Sequence, residues 1–160
     1  MGSLLSLSIT TAILCGIWSY VSGIIGLLGW AGFSGCTSYF AAGGKKEGLK
    51  ASLIANISGV IWAMIAIKLS PVLGIQPEIA GSIMTTIITF GMCIQAKSKL
   101  FAYIPGTFFG SFSTFAANGD WKLVLPSLLL GGLLGHACQC SGDWLFNLTN
   151  KKSRKVEKNL

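Results

Sequence analysis

Strongly apolar segments follow one another along most of the chain, with polar borders between them. The long segments cover residues 4–28, 51–73, 79–96 and 123–146. Each is long enough to cross a bilayer core of about 30 Å as a helix. Two further segments, residues 30–44 and 100–118, are rich in small residues and contain a shorter helical stretch. The pattern predicts an all-α integral membrane protein with six transmembrane segments, of which the second and fifth are short.

The two halves of the chain repeat each other without a gap at an offset of 75 residues. Residues 33–44 and 108–119 share seven identities in twelve positions. The same offset also aligns residues 52–53 with residues 127–128. We interpret the chain as a first three-segment repeat (1–75), a second three-segment repeat (76–149) and a basic tail (150–160).

The basic residues distinguish two topologies. With six crossings, ten of the twelve Lys and Arg residues fall on one side, and only Lys68 and Lys122 fall on the other. If the short segments were re-entrant, the five basic tail residues would lie on one side of the membrane. Five lysines, at positions 45, 46, 50, 97 and 99, would lie on the other. Because cytoplasmic loops are enriched in Lys and Arg, we predict six crossings with both termini in the cytoplasm. Three crossings per repeat is an odd number, so the second repeat is inverted relative to the first.

The short segments contain the candidate functional residues, because short or irregular backbone at membrane depth must be buried in protein or line a cavity. We predict that Ser38 and Ser113 lie near the midplane of a solute path, with Phe40 and Phe115 as its apolar walls or gates. The full set of candidate path residues is Gly35, Ser38, Phe40, Gly110, Ser113 and Phe115. The alternative interpretation is close helix packing, which small residues permit in membranes.

Three other polar side chains lie within or near apolar segments. His136, the only histidine, is a candidate gate or proton relay, and Asn56 is a candidate gate residue or a bridge between helices. Gln95 lies near the cytoplasmic border, where we expect it to reach water. No Asp, Glu or Arg lies in the middle of a segment. Coupled pumps normally place an ionisable group there, so the pattern favours a passive conduit.

Composition excludes several other classes of protein. Charged residues make up 11% of the chain, against about 25% in a soluble domain. The net charge of +7 therefore indicates topology and predicts no nucleic-acid partner. Paired carboxylates and phosphate-binding loops are absent from the sequence, so we expect no enzyme and no cofactor. The five cysteines resemble small hydrophobic residues, and no metal site is predicted from His136, Cys138 and Cys140, because helical positions two apart face different ways.

Three stretches carry a resemblance to a known family: residues 29–37 (Gly-Trp-Ala-Gly-Phe-Ser-Gly-Cys-Thr), residues 92–97 and residues 114–128. They resemble the YcdZ-like family of small bacterial inner-membrane proteins, a domain of unknown function. The resemblance extends over residues 4–144 and is weakest in the tail. It implies a bacterial inner membrane, and it assigns no substrate and no functional residue.

Two functions from different classes follow from these features. The first is a channel or facilitator for a small neutral solute, whose path lies within one protomer or at the axis of a homo-oligomer. The second is a membrane scaffold without transport activity, whose basic tail binds anionic lipids or a partner. Membrane lipids are expected partners in both cases.

Overall fold

A computed structural model describes the backbone of residues 2–157 and the side chains of residues 2–151, and the described chain is helical without strands. The α-helices are α1 (Ser3–Ile24), α2 (Gly29–Ala41), α3 (Lys45–Leu69), α4 (Pro77–Ile94), α5 (Ile104–Ala116) and α6 (Trp121–Glu157). Short 3₁₀ turns extend α3 over Ser70–Leu73 and connect α4 to α5 over Gln95–Lys97 and Lys99–Phe101.

Four helical stretches are long and apolar enough to cross a membrane: Ser3–Ile24, Lys45–Leu73, Pro77–Lys97 and Trp121–Lys151. The two remaining helices, α2 and α5, have 13 residues each. At 1.5 Å per residue they rise about 20 Å, which is less than the thickness of the hydrocarbon core. The all-helical membrane architecture predicted from the sequence is confirmed.

The sequence repeat is also visible in the backbone of the short helices. The bounds of α5 are those of α2 shifted by 75 residues. Both helices end in turns with a left-handed backbone, at Gly43 and Gly44 after α2 and at Asn118 and Gly119 after α5. In both turns the second residue, Gly44 or Gly119, donates its amide to a carbonyl five residues earlier. The two repeats therefore share a helix and the turn that follows it.

The long helices α3 and α6 run antiparallel. Near the start of α3, Leu53 packs against Gly132 in the middle of α6. Near the end of α3, Lys68 lines the same surface depression as Trp121, the first residue of α6. Helix α4 runs back along α3, with Gly91 against the Trp62 ring. Helix α5 must then return the chain to the end of the bundle where α3 stops.

Helix α2 has the same role in the first half. The side chain of Leu7, near the start of α1, packs at Gly142 of α6, so α1 is antiparallel to α6. After α1, the Leu28 amide donates to Ser127 Oγ near the start of α6. After α2, the Lys45 amide donates to Gln139 Oε1, about three turns further along α6. Helix α2 therefore carries the chain back towards the end of the bundle where α1 begins.

Each short helix packs on the third helix of the other repeat. On α6, Gly131 lies against the Gly32 carbonyl of α2, and on α3, Gly59 lies against the Thr107 carbonyl of α5. The short-helix positions differ by 75 residues, whereas the third-helix positions differ by 72. The ungapped alignment of residues 52–53 with residues 127–128 therefore does not pair positions that make equivalent helix contacts. Relative to the short helix that it contacts, one third helix is displaced by nearly one turn compared with the other.

Lysines near the ends of α2 and α4 lie at one end of the bundle, and Lys68 near the end of α3 lies at the other. Lys50 of α3 and Lys99 of the α4–α5 connection line one depression, together with Glu47. Lys68 lies at the other end, beside Trp121. Loop lysines from both repeats are thus gathered at one end.

Large apolar side chains lie mainly on the outside of the bundle, and small or polar residues lie within it. Leu4, Ile13, Ile17 and Tyr20 of α1 are all more than half exposed. The fully buried residues include several alanines and serines: Ala31, Ala55, Ala63, Ser38, Ser52, Ser113 and Ser127. This distribution is expected for helices that face lipid and pack against one another through small residues.

Helix α6 continues without a break beyond the second repeat, through residue 150 to Glu157. The first part of the basic tail therefore extends a transmembrane helix. Residues 158–160 lie outside the described residues.

Candidate functional site at the helix crossings

Backbones meet directly where the short helices cross the third helices. A Cβ atom on Gly35 would overlap the Leu128 carbonyl of α6, and one on Gly110 would overlap the Asn56 carbonyl of α3. Only glycine, which lacks a side chain, permits this approach. The structure therefore supports the helix-packing interpretation for Gly35 and Gly110.

A buried polar cluster lies beside these crossings. The Ser38 hydroxyl of α2 donates to Asn56 Oδ1 of α3 over 2.9 Å, and both residues are 0% exposed. The Tyr103 hydroxyl, at the start of α5, donates to the Ser38 carbonyl over 3.1 Å. Asn56 thus bridges helices, and it joins Ser38 in one cluster that also ties the two repeats together.

Two atoms of this region have unused hydrogen-bonding capacity. Asn56 Nδ2 and Ser113 Oγ are buried and have no hydrogen-bond partner among the described residues. Ser113 lies one turn beyond Gly110, which contacts the Asn56 backbone. Buried polar groups are nearly always paired with protein or with ordered water. Asn56 and Ser113 therefore leave one unused donor and one unused hydroxyl on the two helices that cross here, α3 and α5.

The two phenylalanines are placed differently from the serines. Phe115 is 40% exposed and lines a depression on the outer surface with Met84 and Thr85. Phe40 is half-buried, and its ring packs edge-on against Tyr39, with centroids 5.2 Å apart. Phe115 thus lies at the surface of the single chain, and its role as a wall or gate stays a prediction.

A second polar network joins α3, α4 and α5. Gln95 Oε1 accepts from Ser58 Oγ over 2.8 Å and from Trp62 Nε1 over 2.9 Å. The Gln95 side-chain nitrogen Nε2 donates to the fully buried Thr107 hydroxyl over 3.1 Å. The expectation that Gln95 simply reaches water is therefore wrong. Its place at the end of an apolar segment gave no sign that side chains of α3 and α5 bond to it.

His136 lies in the contact between α2 and α6. Its Nδ1 is 3.2 Å from the Tyr39 hydroxyl, and that hydroxyl also donates to Gln139 Oε1. Its other nitrogen, Nε2, is 3.6 Å from Cys140 Sγ on the next turn. These contacts make His136 a bridge between the repeats, near the end of the bundle that carries Lys45.

Three cysteines converge inside the bundle, although no sequence spacing indicates it. The sulfur atoms of Cys15 on α1, Cys36 on α2 and Cys138 on α6 all lie within 4.8 Å of one another. Cys140, two residues after Cys138, is exposed and lies against His136 instead. The residues group only through the packing of α1 and α2 against α6, which is distant in the chain.

These features define a class: a small multi-pass membrane protein of crossed, glycine-rich helices with an uncharged polar interior. The family described as "Protein of unknown function (DUF1097)" matches residues 8–143, and the chain belongs to this family. No solved structure matches the chain significantly.

Relatives agree with this assignment. The chain is 51% identical to the Inner membrane protein YcdZ of Escherichia coli over 159 residues, which cover 98% of this chain and 96% of the relative. It is 51% identical to the protein of the same name from Salmonella typhimurium, with 91% of each chain covered. It is 33% identical to the Uncharacterized protein YahC of Escherichia coli, with 95% and 98% covered. The chain is thus a multi-pass inner-membrane protein, as its resemblance to the YcdZ-like family implies.

Proposed function

We propose that the protein is a passive facilitator for a small neutral polar solute, built from two inverted repeats that each cross the membrane three times. The observation that carries the proposal is the unpaired hydrogen-bonding capacity of Asn56 Nδ2 and Ser113 Oγ inside a bundle without central charges. A neutral solute needs replacements for the hydrogen bonds that it loses on leaving water. These two groups, with the Ser38 hydroxyl, can supply them.

Two features of the fold support the six-crossing topology. The antiparallel arrangement of α3 and α6 requires α5 to return the chain across the bundle, and α2 does the same in the first half. One face of each short helix packs closely on a longer helix, and short or irregular backbone at membrane depth is tolerated where it is buried in protein. Loop lysines from both repeats lie at one end, so the positive-inside rule assigns that end, and both termini, to the cytoplasm.

The proposed path is closed in this conformation. Ser38, Asn56 and Ser113 are all 0% exposed, and the glycine contacts leave no space between the crossing backbones. Entry of a solute therefore requires α2 or α5 to move relative to the third helix that it crosses. The absence of Asp, Glu and Arg in the middle of the apolar segments supports passive flux rather than ion coupling or catalysis.

The proposal predicts solute flux that depends on Ser38 and Ser113. The purified chain in liposomes should accelerate the entry of at least one of urea, formamide and glycerol, followed by stopped-flow light scattering. Ser38→Ala and Ser113→Ala should each lower this flux about fivefold to tenfold, because each removes a hydrogen bond of roughly 1 kcal/mol from the dehydrated solute. Ser38→Leu and Ser113→Leu should abolish it.

The matched control is Ser82→Ala, which removes an exposed hydroxyl that bonds only to its own helix. Its flux should equal that of the unchanged protein. The facilitator proposal fails if no solute enters faster than into empty vesicles. The midplane path fails if both leucine variants retain full flux in correctly folded protein.

A scaffold that binds lipids or a partner through its basic tail is the second candidate. It is favoured by the unbroken continuation of α6 to Glu157, which would hold such a tail rigidly below the membrane. Deletion of residues 150–160 separates the candidates, because a facilitator keeps its flux and a scaffold shows none before or after the deletion.

A pH gradient should leave the flux unchanged, whereas a coupled transporter relying on His136 would respond.

A further inference from the structure

We propose that Cys15, Cys36 and Cys138 form a binding site for a soft monovalent metal ion, Cu(I) in particular. The three sulfur atoms come from three helices and lie within 4.8 Å of one another. An ion about 2.3 Å from three sulfurs in a plane needs those sulfurs about 4 Å apart. The observed spacing therefore requires only small side-chain adjustments.

The surroundings of the site select the ion. Cys138 is 0% exposed and Cys36 is 6% exposed, and each lies in the middle part of an apolar helix. Sulfur ligands favour soft ions such as Cu(I), and one thiolate together with two neutral thiols balances the charge of a monovalent ion. Structural Zn²⁺ sites take four ligands, whereas the described cluster provides three.

Neighbouring groups fix the position of the cluster. Thr10 Oγ1 donates to the Cys138 carbonyl over 3.3 Å, which ties α1 to α6 one turn or so before Cys15. On α2, Gly35 precedes Cys36 and holds that helix against the α6 backbone. The thiols are therefore held by the same contacts that define the fold. Each thiol that binds as a thiolate releases one proton, so binding strengthens as the pH rises.

The cysteine site and the proposed solute path use different side chains. The site lies between α1, α2 and α6, whereas Asn56 and Ser113 belong to α3 and α5, and the Ser38 side chain of α2 bonds to Asn56. Loss of metal binding would leave the facilitator proposal intact, and absence of solute flux would leave the metal site intact.

The test uses the full chain, purified in detergent and reduced without oxygen, with Cu(I) supplied by a coloured chelator of known affinity. We expect one Cu(I) per chain to transfer to the protein and X-ray absorption to show sulfur-only coordination. Cys15→Ser, Cys36→Ser and Cys138→Ser should each lose this stoichiometric binding. The matched controls, Cys93→Ser and Cys140→Ser, change exposed cysteines and should retain it.

A second measurement needs no substitution. Bound Cu(I) should protect Cys15, Cys36 and Cys138 from alkylation, while Cys93 and Cys140 react as before, as counted by mass spectrometry. The proposal is overturned if the chelator keeps all the Cu(I), if the variant lacking all three cysteines binds as much, or if protection falls on Cys93 and Cys140 instead.

Discussion

Replacing Gly110 with alanine is expected to destabilise the bundle by roughly 1–3 kcal/mol, the usual cost of forcing extra carbon into a packed interior. The added Cβ would overlap the Asn56 carbonyl of α3. Backbone cannot move aside as a side chain can, so α5 must shift away from α3. Gly35→Ala should have a loss of the same size, because its Cβ meets the Leu128 carbonyl of α6. Unfolding in mixed micelles, followed by tryptophan fluorescence, measures both losses.

The chain offers matched controls for this prediction. Gly16 of α1 and Gly81 of α4 are also helical, but nothing lies within 4 Å of a Cβ built on either of them. Gly16→Ala and Gly81→Ala should be neutral or slightly stabilising, because alanine is the better helix former. Equal effects of Gly110→Ala and Gly81→Ala would show that the backbones do not meet as described.

Replacing Gln95 with methionine is expected to cost about 2–4 kcal/mol, because it strands several polar groups at once. Ser58 and Trp62 lose their acceptor, and the fully buried Thr107 loses its donor. Each buried group without a partner costs about 1–3 kcal/mol, and part of this is recovered where a hydroxyl turns to its own helix. The same unfolding assay applies.

Gln76→Met is the control for Gln95→Met. Gln76 precedes α4, is exposed, and makes no side-chain hydrogen bond to that helix. Its replacement should change stability by less than about 0.5 kcal/mol. Trp62→Phe should lower the stability less than Gln95→Met, since it removes only one of the three hydrogen bonds of the Gln95 side chain. A Gln95→Met variant as stable as the Gln76→Met control would contradict the described network.

The sequence predicts the helices well because transmembrane segments are recognisable by their length and apolar composition. It also predicts the shortness of α2 and α5, whose glycines and serines stand out from the neighbouring leucine-rich and isoleucine-rich segments. The repeat identified Gly35 and Gly110, and the structure places both at crossings. It did not reveal that one third helix slides by nearly a turn, because the partner surface that sets this register belongs to the other repeat.

Contacts between distant helices were the part that the sequence could not supply. Gln95 looks like a border residue because the chain turns polar after it, and only the fold surrounds it with α3 and α5. The meeting of Cys15, Cys36 and Cys138 has no spacing signature for the same reason. Phe115 aligns with Phe40 in the repeat. The repeat predicts similar positions along the two short helices but not similar neighbours, and the Phe115 ring faces outwards.

The proposed topology explains why the interior is polar without being charged. In this proposed topology each short helix packs on the third helix of the other repeat, so the crossings join residues from both halves, as Ser38, Asn56 and Tyr103 do. Close backbone contact requires glycine, and the remaining space favours serine and alanine. An interior of this kind can replace the hydrogen bonds of a neutral solute, and the middle of the apolar segments holds no Asp, Glu or Arg to pair with an ion.

The number of crossings is tested most directly by labelling single cysteines from outside the inner membrane. Cys93 and Cys140 are first replaced by serine, and Cys15, Cys36 and Cys138 are left in place. Ile25→Cys and Glu47→Cys then report the two ends of α2, and Ser98→Cys and Asp120→Cys report the two ends of α5, all at exposed positions. Six crossings predict that a membrane-impermeant thiol reagent labels the cysteines at positions 25 and 120 in intact spheroplasts and leaves those at 47 and 98 unlabelled. Labelling of positions 25 and 47 alike, and of 98 and 120 alike, would contradict the account and indicate re-entrant short helices.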